Sequence, residues 1–286
     1  MKNVIIFNLS LYNIIFYFTI YAFLGWCIEV AYSALNTGKF VNRGFLNGPV
    51  CPIYGFGVVF IIIILSPIKN NIFMLFVGSI FITSFIEYIT GFVLERIFNN
   101  RWWDYSNMPF NINGYICLKF SLGWGIASVF VIEVVHAIVY ALVKLIPSLL
   151  GIIFIIIVIT CFIVDIISTV QAILKLNIRI RKIEEVSVKM RNKSDALAKE
   201  IAKNTIELKK IYNENSVEFK EKYEANISQI KSKYETEFSE LRCNYNKLME
   251  RKHILQRRIL KAFPNIKSNK HFEALEQLKS RIDLRK

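Results

Sequence analysis

Long apolar stretches separated by short polar loops fill the first 174 residues of the chain. An α-helix rises ~1.5 Å per residue and the hydrocarbon core of a bilayer is ~30 Å thick, so about 20 apolar residues span it. Five stretches approach that length, at residues 11–32, 51–68, 72–94, 120–143 and 148–174. They predict five transmembrane helices, of which the second is the shortest.

A different apolar spacing begins after residue 174. Between residues 176 and 211 the seam positions, most of them apolar, recur at alternating steps of four and three, and a second series covers residues 223–259. This heptad spacing is typical of coiled coils. Pro264 ends the second series, and residues 272–282 outline a short final helix. The pattern predicts a coiled-coil tail that forms an antiparallel hairpin, associates with itself or binds a partner helix.

Composition separates the same two regions. The chain is 54% hydrophobic and 20% charged overall. Residues 1–174 hold 8 basic and 6 acidic side chains (net +2), whereas residues 175–286 hold 28 and 16 (net +12). We therefore expect a membrane domain at 1–174 and a soluble basic tail at 175–286. Because the tail mixes both signs of charge and begins directly after a span, the lipid bilayer is favoured over nucleic acid as its partner.

The basic residues also predict how the spans are oriented, since cytoplasmic loops are enriched in Lys and Arg. Lys39, Arg43, Arg96 and Arg101 fall on the same predicted side as the tail. The expected topology places the N-terminus outside and both long loops and the tail in the cytoplasm, with the chain in the inner cell membrane. The predicted fold class is all-α, a polytopic helical membrane protein.

One motif occurs twice, at the two predicted cytoplasmic loops. Residues 48–57 and 114–123 both follow the spacing G-x-(V/I)-C-x-x-(Y/F)-x-x-G. Glu29 and Glu87 occupy matching positions in the spans that precede these loops. A repeat of this kind predicts two hairpins that point the same way, related by an axis along the membrane normal.

Four acidic residues lie inside the predicted spans, namely Glu29, Glu87, Glu133 and Asp165. Ionisable groups at membrane depth are costly, and they usually face a bundle interior or a cavity and mark function. The alternative is that these carboxylates reach the membrane surface or pair with loop arginines.

Two kinds of reactive centre receive little support. Glu133 and His136 form an E-x-x-H pair, but carboxylate-bridged metal bundles normally need two such pairs at one depth. Cys51 and Cys117 are candidate nucleophiles, yet neither loop contains a histidine that would activate a thiol. The sequence predicts no metal, no cofactor and no catalytic residue, and it leaves enzymatic activity open.

Three motifs carry a resemblance to a known family. They are GWCIE ending at Glu29, NRGFLNGPVCPIYGFG at 42–57 and WDYSNMPFNINGYICLKFSLGWG at 103–125. In this order, and separated by apolar helices, they resemble the bacterial CmpB-like family of type IV ABC-transporter permeases. The resemblance implies a multi-pass bacterial membrane protein of the permease type.

The family motifs and the acidic residues together give the candidate substrate-binding residues. These are Glu29, Arg43, Asn47, Cys51, Tyr54, Glu87, Trp103, Asp104, Tyr105, Asn113, Cys117, Ser121 and Glu133. The aromatic residues of loop 101–114 fit either this binding surface or an aromatic belt at the membrane surface.

The chain contains no G-x-x-x-x-G-K-(S/T) motif, so a transporter of this type would need a separate ATPase subunit. The leading prediction is a permease that moves an unknown solute with such a subunit. The alternatives are a membrane-embedded scaffold or sensor that recruits partners through its coiled-coil tail, and a lipid-modifying membrane enzyme.

Overall fold

The computed structural model describes residues 5–6, 9–211, 216–251 and 253–283, and most of them are helical. The helices are α1 (Leu11–Thr37), α2 (Pro52–Leu65), α3 (Ile72–Phe98), α4 (Leu118–Phe130), α5 (His136–Leu145), α6 (Ser148–Ile211), α7 (Val217–Glu250), α8 (Ile254–Ala262) and α9 (Phe272–Asp283). The strands are β1 (Ile5–Ile6), β2 (Leu9–Ser10), β3 (Asn100–Arg101), β4 (Asn111–Ile112), β5 (Ile116–Cys117) and β6 (Lys267–Ser268). These strands pair antiparallel as β1–β2, β3–β6 and β4–β5.

Four helical segments of the described chain are long and apolar enough to cross a membrane. They are Leu11–Thr37, Ile72–Phe98, Leu118–Leu145 and Ser148–Ile211. The second predicted span is the shorter apolar helix Pro52–Ile68, which measures about 25 Å at ~1.5 Å per residue. The prediction of an all-α polytopic membrane protein is confirmed.

Local signals explain where the first spans begin and end. Ser10 caps α1 by accepting a hydrogen bond from the Asn13 backbone N–H at 3.2 Å. Gly38 ends α1 in the left-handed conformation, with a φ of 66°, which glycine adopts without steric cost. Pro52 opens α2, where its missing N–H leaves no hydrogen bond unmade.

The first four apolar segments form two antiparallel hairpins, α1–α2 and α3–α4, with α2 also packed on α3. Close approach within each hairpin depends on glycine. A Cβ at Gly25 would collide with the Tyr54 ring, and one at Gly125 would meet Ile80 and Phe76. Cys51 and Cys117 are both buried N-cap residues, of α2 and α4 respectively. The repeated motif therefore builds the same loop-to-helix junction twice.

An aromatic stripe on α1 forms the centre of the membrane core. Tyr12, Phe16, Tyr17 and Tyr21 are buried there against Val139 and Val143 of α5 and Ile155 of α6. Their i, i+4, i+5, i+9 spacing places these rings on one side of α1.

Span four is interrupted by one turn of π-helix, Val131–Val135. The His136 backbone N–H bonds to the Val131 carbonyl, and the His136 ring lies within hydrogen-bond distance of the Tyr21 hydroxyl, 3.0 Å from Nδ1 to oxygen. Glu133 lies within this turn, and its side chain is exposed. The π-turn thus turns the histidine towards α1 and leaves the glutamate outside.

The chain divides into two compact units. The first contains Met1–Lys175 together with Ile254–Lys270, and the second contains Leu176–His253 together with His271–Lys286. We refer to Ile254–Lys270 as the return segment. The sequence prediction assigned these residues to the tail, and nothing in their spacing indicated that they belong with the membrane helices.

In the second unit, α7 runs antiparallel to the distal part of α6. Lys233 and Tyr234 of α7 both donate to the Glu200 carboxylate of α6, at 3.1 Å and 2.7 Å. Lys193 pairs with Glu237 further along the same interface. The distal part of α6 and α7 therefore form an intramolecular antiparallel pair, and self-association stays a prediction.

Candidate solute-binding site

The first hairpin holds Glu29 between a phenol and a guanidinium group. The Tyr54 hydroxyl of α2 donates to Glu29 Oε1 at 2.6 Å. Arg43 Nε lies 3.5 Å from Glu29 Oε2, and the guanidinium also packs over the Tyr32 ring at 5.4 Å. The charge of Glu29 is thus offset by a cation from the first loop.

The second hairpin holds Glu87 differently. This side chain is only 8% exposed, and Tyr105 donates its hydroxyl to Glu87 Oε1 at 3.3 Å. Among the described residues, Oε2 is buried and has no hydrogen-bond partner. The two matching carboxylates therefore differ in how well they are compensated.

In the second hairpin, the phenol comes from the loop and not from the helix. Phe120 stands where the repeat has Tyr54, and it has no hydroxyl to offer Glu87. Tyr105, from the loop, stacks on Phe120 with 4.9 Å between ring centroids and 28° between planes. The loop therefore supplies the hydroxyl group that α4 lacks.

The carboxylates of Glu29 and Glu87, here together called the carboxylate centre, act on the same two phenols. Tyr54 and Tyr105 each interact electrostatically with both Glu29 and Glu87. Burial, followed by the charge of Glu87, raises the pKa of Tyr105 above its usual range, so this phenol stays a hydrogen-bond donor. The Trp124 ring of α4 also meets Tyr54 edge-on at 5.5 Å, which joins the two hairpins.

Asp165 of α6 holds the first loop in place. Its Oδ1 accepts from both the backbone N–H and the side-chain amide of Asn47, each at 2.9 Å, and its Oδ2 accepts from the Gly48 N–H at 2.7 Å. Asn47 also donates to the Ser168 and Thr169 hydroxyls. Asn47 thus anchors the loop to α6, and its partner Asp165 lies outside the predicted set of substrate-binding residues.

The second loop is held by a charged network at its base. Arg101 Nε donates to Glu95 Oε2 at 2.9 Å, and Lys267 donates to Asp104 Oδ2 at 2.7 Å. Hydrogen bonds from Lys267 and Ser106 hold the pKa of Asp104 well below its usual range. Asp104 is therefore a charged structural partner at neutral pH.

The rest of this loop forms a shallow open cavity of about 600 Å³, lined in part by Tyr88, Asn113 and Tyr115. The Asn113 amide donates to the Tyr88 hydroxyl at 3.0 Å, and Asn113 has a positive φ of 53°. Trp103 donates its indole N–H to the Tyr115 carbonyl at 2.8 Å. Trp103 and Asn113 thus shape the loop, whereas Tyr105 reaches the carboxylate centre.

The return segment binds both loops. Arg258 donates to the Gly44 and Phe45 carbonyls at 2.8 Å and 3.0 Å. On the second loop, β6 pairs with β3 and Phe263 meets the Trp102 ring at 4.9 Å. No sequence signal connects residues more than 150 positions apart in this way, so sequence reasoning missed Arg258 and Lys267.

The other predicted site residues lie apart from the carboxylate centre or serve packing. Cys51 and Cys117 are buried caps, and the Ser121 hydroxyl accepts from Ser84 at 2.8 Å. Glu133 is exposed on the π-turn. Within the described residues, no group of three or more His, Cys, Asp or Glu side chains could hold a metal ion.

Residues 16–170 match the family described as "Putative ABC-transporter type IV", which is more than half of the 286-residue chain. The chain belongs to this family. The part that matches the type IV ABC-transporter family covers both hairpins, both repeated loops and Asp165, and it ends before the return segment. Comparison with curated proteins and with solved structures gives no match.

Proposed function

We propose that the chain is the permease subunit of an ABC-type transporter and that its solute passes the paired carboxylates Glu29 and Glu87. A separate ATPase chain supplies the energy, because no phosphate-binding loop motif occurs in the sequence. Membership of the type IV ABC-transporter family and the apolar helices support this proposal.

One observation carries the proposed location of the site. Each hairpin presents a carboxylate to a phenol, at positions that the repeat makes equivalent for Glu29 and Glu87. Buried charge is retained in membrane helices mainly where it serves a pathway or a binding site. A carboxylate with a purely structural role would have hydrogen bonds to both of its oxygens, yet Glu87 Oε2 has none among the described residues. The proposed site leaves out Glu133.

The proposed orientation follows the distribution of basic residues. Lys39, Arg43, Arg96 and Arg101 flank the two repeated loops, which supports a cytoplasmic location for these loops and for the tail. On this basis we place the chain in the inner cell membrane with its N-terminus outside.

The proposal is tested by complementing a deletion strain of the native host and comparing its growth and its solute content by untargeted mass spectrometry. Glu29→Gln and Glu87→Gln should each abolish complementation while membrane abundance stays near normal. Glu240→Gln, which removes an exposed carboxylate from α7, is the control and should complement fully. Wild-type behaviour of either site variant would overturn the proposed path past both carboxylates.

A scaffold or sensor is the second candidate, and the return segment favours it. This segment binds both loops through Arg258 and Lys267, and in the sequence it lies between two helices of the tail unit, α7 and α9. If the chain is a sensor, the double variant Arg258→Ala and Lys267→Met should change the cellular output of the chain, whereas Glu87→Gln should not.

A further inference from the structure

The two carboxyl groups of the proposed site differ in the partners that the described residues give them. Glu29 has Arg43 at 3.5 Å and a 2.6 Å hydrogen bond from Tyr54. For Glu87, the described residues supply only the longer 3.3 Å bond from Tyr105, and no basic side chain within ion-pair distance. A buried carboxylate is stable only when it is paired or protonated. Glu87 therefore has the capacity to accept one more donor or cation.

The basic side chains that bind the acidic residues of the second hairpin and its loop, Arg101 and Lys267, are already engaged. Arg101 pairs with Glu95 at 2.9 Å and with Asp104 at 3.4 Å. Lys267 pairs with Asp104 at 2.7 Å. Moving either cation to Glu87 would remove the charged partner of Glu95 or Asp104. A counter-charge for ionised Glu87 would therefore come from outside this network.

An aromatic pair adjoins the Glu87 carboxyl group. Tyr105 lies against Glu87 and stacks on Phe120, and Tyr54, which interacts electrostatically with Glu87, meets the Trp124 ring. Aromatic faces attract organic cations, and a single carboxylate oxygen accepts one N–H well. Divalent metal ions need several oxygen ligands, whereas anions would be repelled by both carboxylates.

We propose that Glu87 Oε2 binds a protonated primary or secondary amine, and hence that the solute of the permease carries such an ammonium group. This inference rests on the proposed function and names its substrate class. Because Oε2 is closed off from solvent here, binding requires the loop end to open. The ammonium group can belong to a free amine or to a phosphatidylethanolamine headgroup, and these two sources are distinguished below.

The test uses the full chain in phosphatidylcholine nanodiscs, since a choline headgroup has no N–H to donate. Ethylammonium chloride is titrated at constant ionic strength against potassium chloride, and tryptophan fluorescence and the Tm are followed. We expect a saturable response to ethylammonium and none to potassium. Removing one partner of a buried charge pair weakens binding strongly, so Glu87→Gln should raise the Kd at least about tenfold.

Two further variants test whether the response to ethylammonium depends on the Glu87 carboxylate. Glu87→Asp keeps the charge on a shorter side chain and should bind more weakly than wild type but more tightly than Glu87→Gln. Glu240→Gln should bind like wild type. A second arm adds phosphatidylethanolamine to the nanodiscs. A rise in Tm that depends on Glu87, together with weaker ethylammonium binding, would assign the site to the lipid headgroup.

The outcomes separate this inference from the proposed function. Absence of a saturable response in both arms, or an equal response in Glu87→Gln, overturns the ammonium site. If Glu87→Gln still abolishes complementation in that case, the permease proposal stands with another solute class. Binding that depends on Glu87, together with full complementation by Glu87→Gln, keeps the ammonium site and overturns the proposed transport path.

Discussion

Tyr105 stacks on Phe120 at 4.9 Å and donates its hydroxyl to Glu87, so that a loop residue performs in the second hairpin what Tyr54 performs in the first. Phe120 occupies the position that the repeat gives to Tyr54. The two hairpins have thus kept the carboxylate–phenol contact while changing which element provides the phenol.

This relationship predicts a rescue by exchange. Tyr105→Phe removes the only described hydrogen bond to Glu87 and should impair complementation. Adding Phe120→Tyr to that variant restores a hydroxyl at the position equivalent to Tyr54 and should recover part of the activity. Phe120→Tyr alone is the control, and a double variant no better than Tyr105→Phe would argue against equivalence of the two hairpins.

Asp165 should be important for the stability of the first loop. Asp165→Asn replaces a carboxylate that accepts from Asn47 and Gly48 by an amide that presents N–H groups to the same donors. Hydrogen bonds to charged groups are worth about 1.5–3 kcal/mol each, so we expect a loss of about 2 kcal/mol and a Tm lower by roughly 4–8 °C in detergent. The exposed Asp195→Asn should leave the Tm unchanged.

Arg258 should hold the first loop through two hydrogen bonds, one from each terminal nitrogen of its guanidinium group. Lysine lacks the planar fork, so Arg258→Lys should lose at least one of the contacts to the Gly44 and Phe45 carbonyls. Hydrogen–deuterium exchange should rise in residues 42–48 and 254–262. The neighbouring Arg257 is exposed, and Arg257→Lys is the matched control. Unchanged exchange in both variants would contradict the anchoring role.

The ion pair between Asp104 and Lys267 should show a defined pH dependence. Because the pKa of Asp104 is lowered in the folded chain, its stabilising contribution is present above its unfolded pKa of about 3.9 and is lost as the pH falls through the folded value. Lys267→Met should therefore lower the Tm at pH 7 and differ progressively less from wild type below about pH 4. Lys270→Met, which removes an exposed cation of the same segment, should show no such difference.

The proposed topology predicts cysteine accessibility. On a cysteine-free background, Phe40→Cys and Asn107→Cys in the two repeated loops should be labelled only from the cytoplasm. Asn70→Cys, in the connection between α2 and α3, should be labelled only from the opposite side. Labelling at position 107 from outside would overturn the proposed orientation.

The membrane character, the loop positions and the match between Glu29 and Glu87 were predictable because each depends on spacing along the chain. Helical rise relates apolar length to bilayer thickness, and a repeated motif marks equivalent positions without any knowledge of packing. The same reasoning placed Asn47, Tyr105 and Glu133 together as candidates. Spacing along the chain does not show that Asn47 anchors a loop, that Tyr105 binds a carboxylate or that Glu133 is exposed.

Sequence by itself determined the all-α membrane character, the positions of the apolar segments and the repeat that places Glu29 and Glu87 at matching positions. Tertiary structure alone decided which carboxylate is compensated, because Arg43 reaches Glu29 whereas Arg101 and Lys267 are taken by Glu95 and Asp104. It also decided that the return segment binds the loops through Arg258. The physical reason is that ion pairs and hydrogen bonds to backbone carbonyls depend on distances in space. Hydrophobic periodicity does not encode such distances between residues more than 150 positions apart.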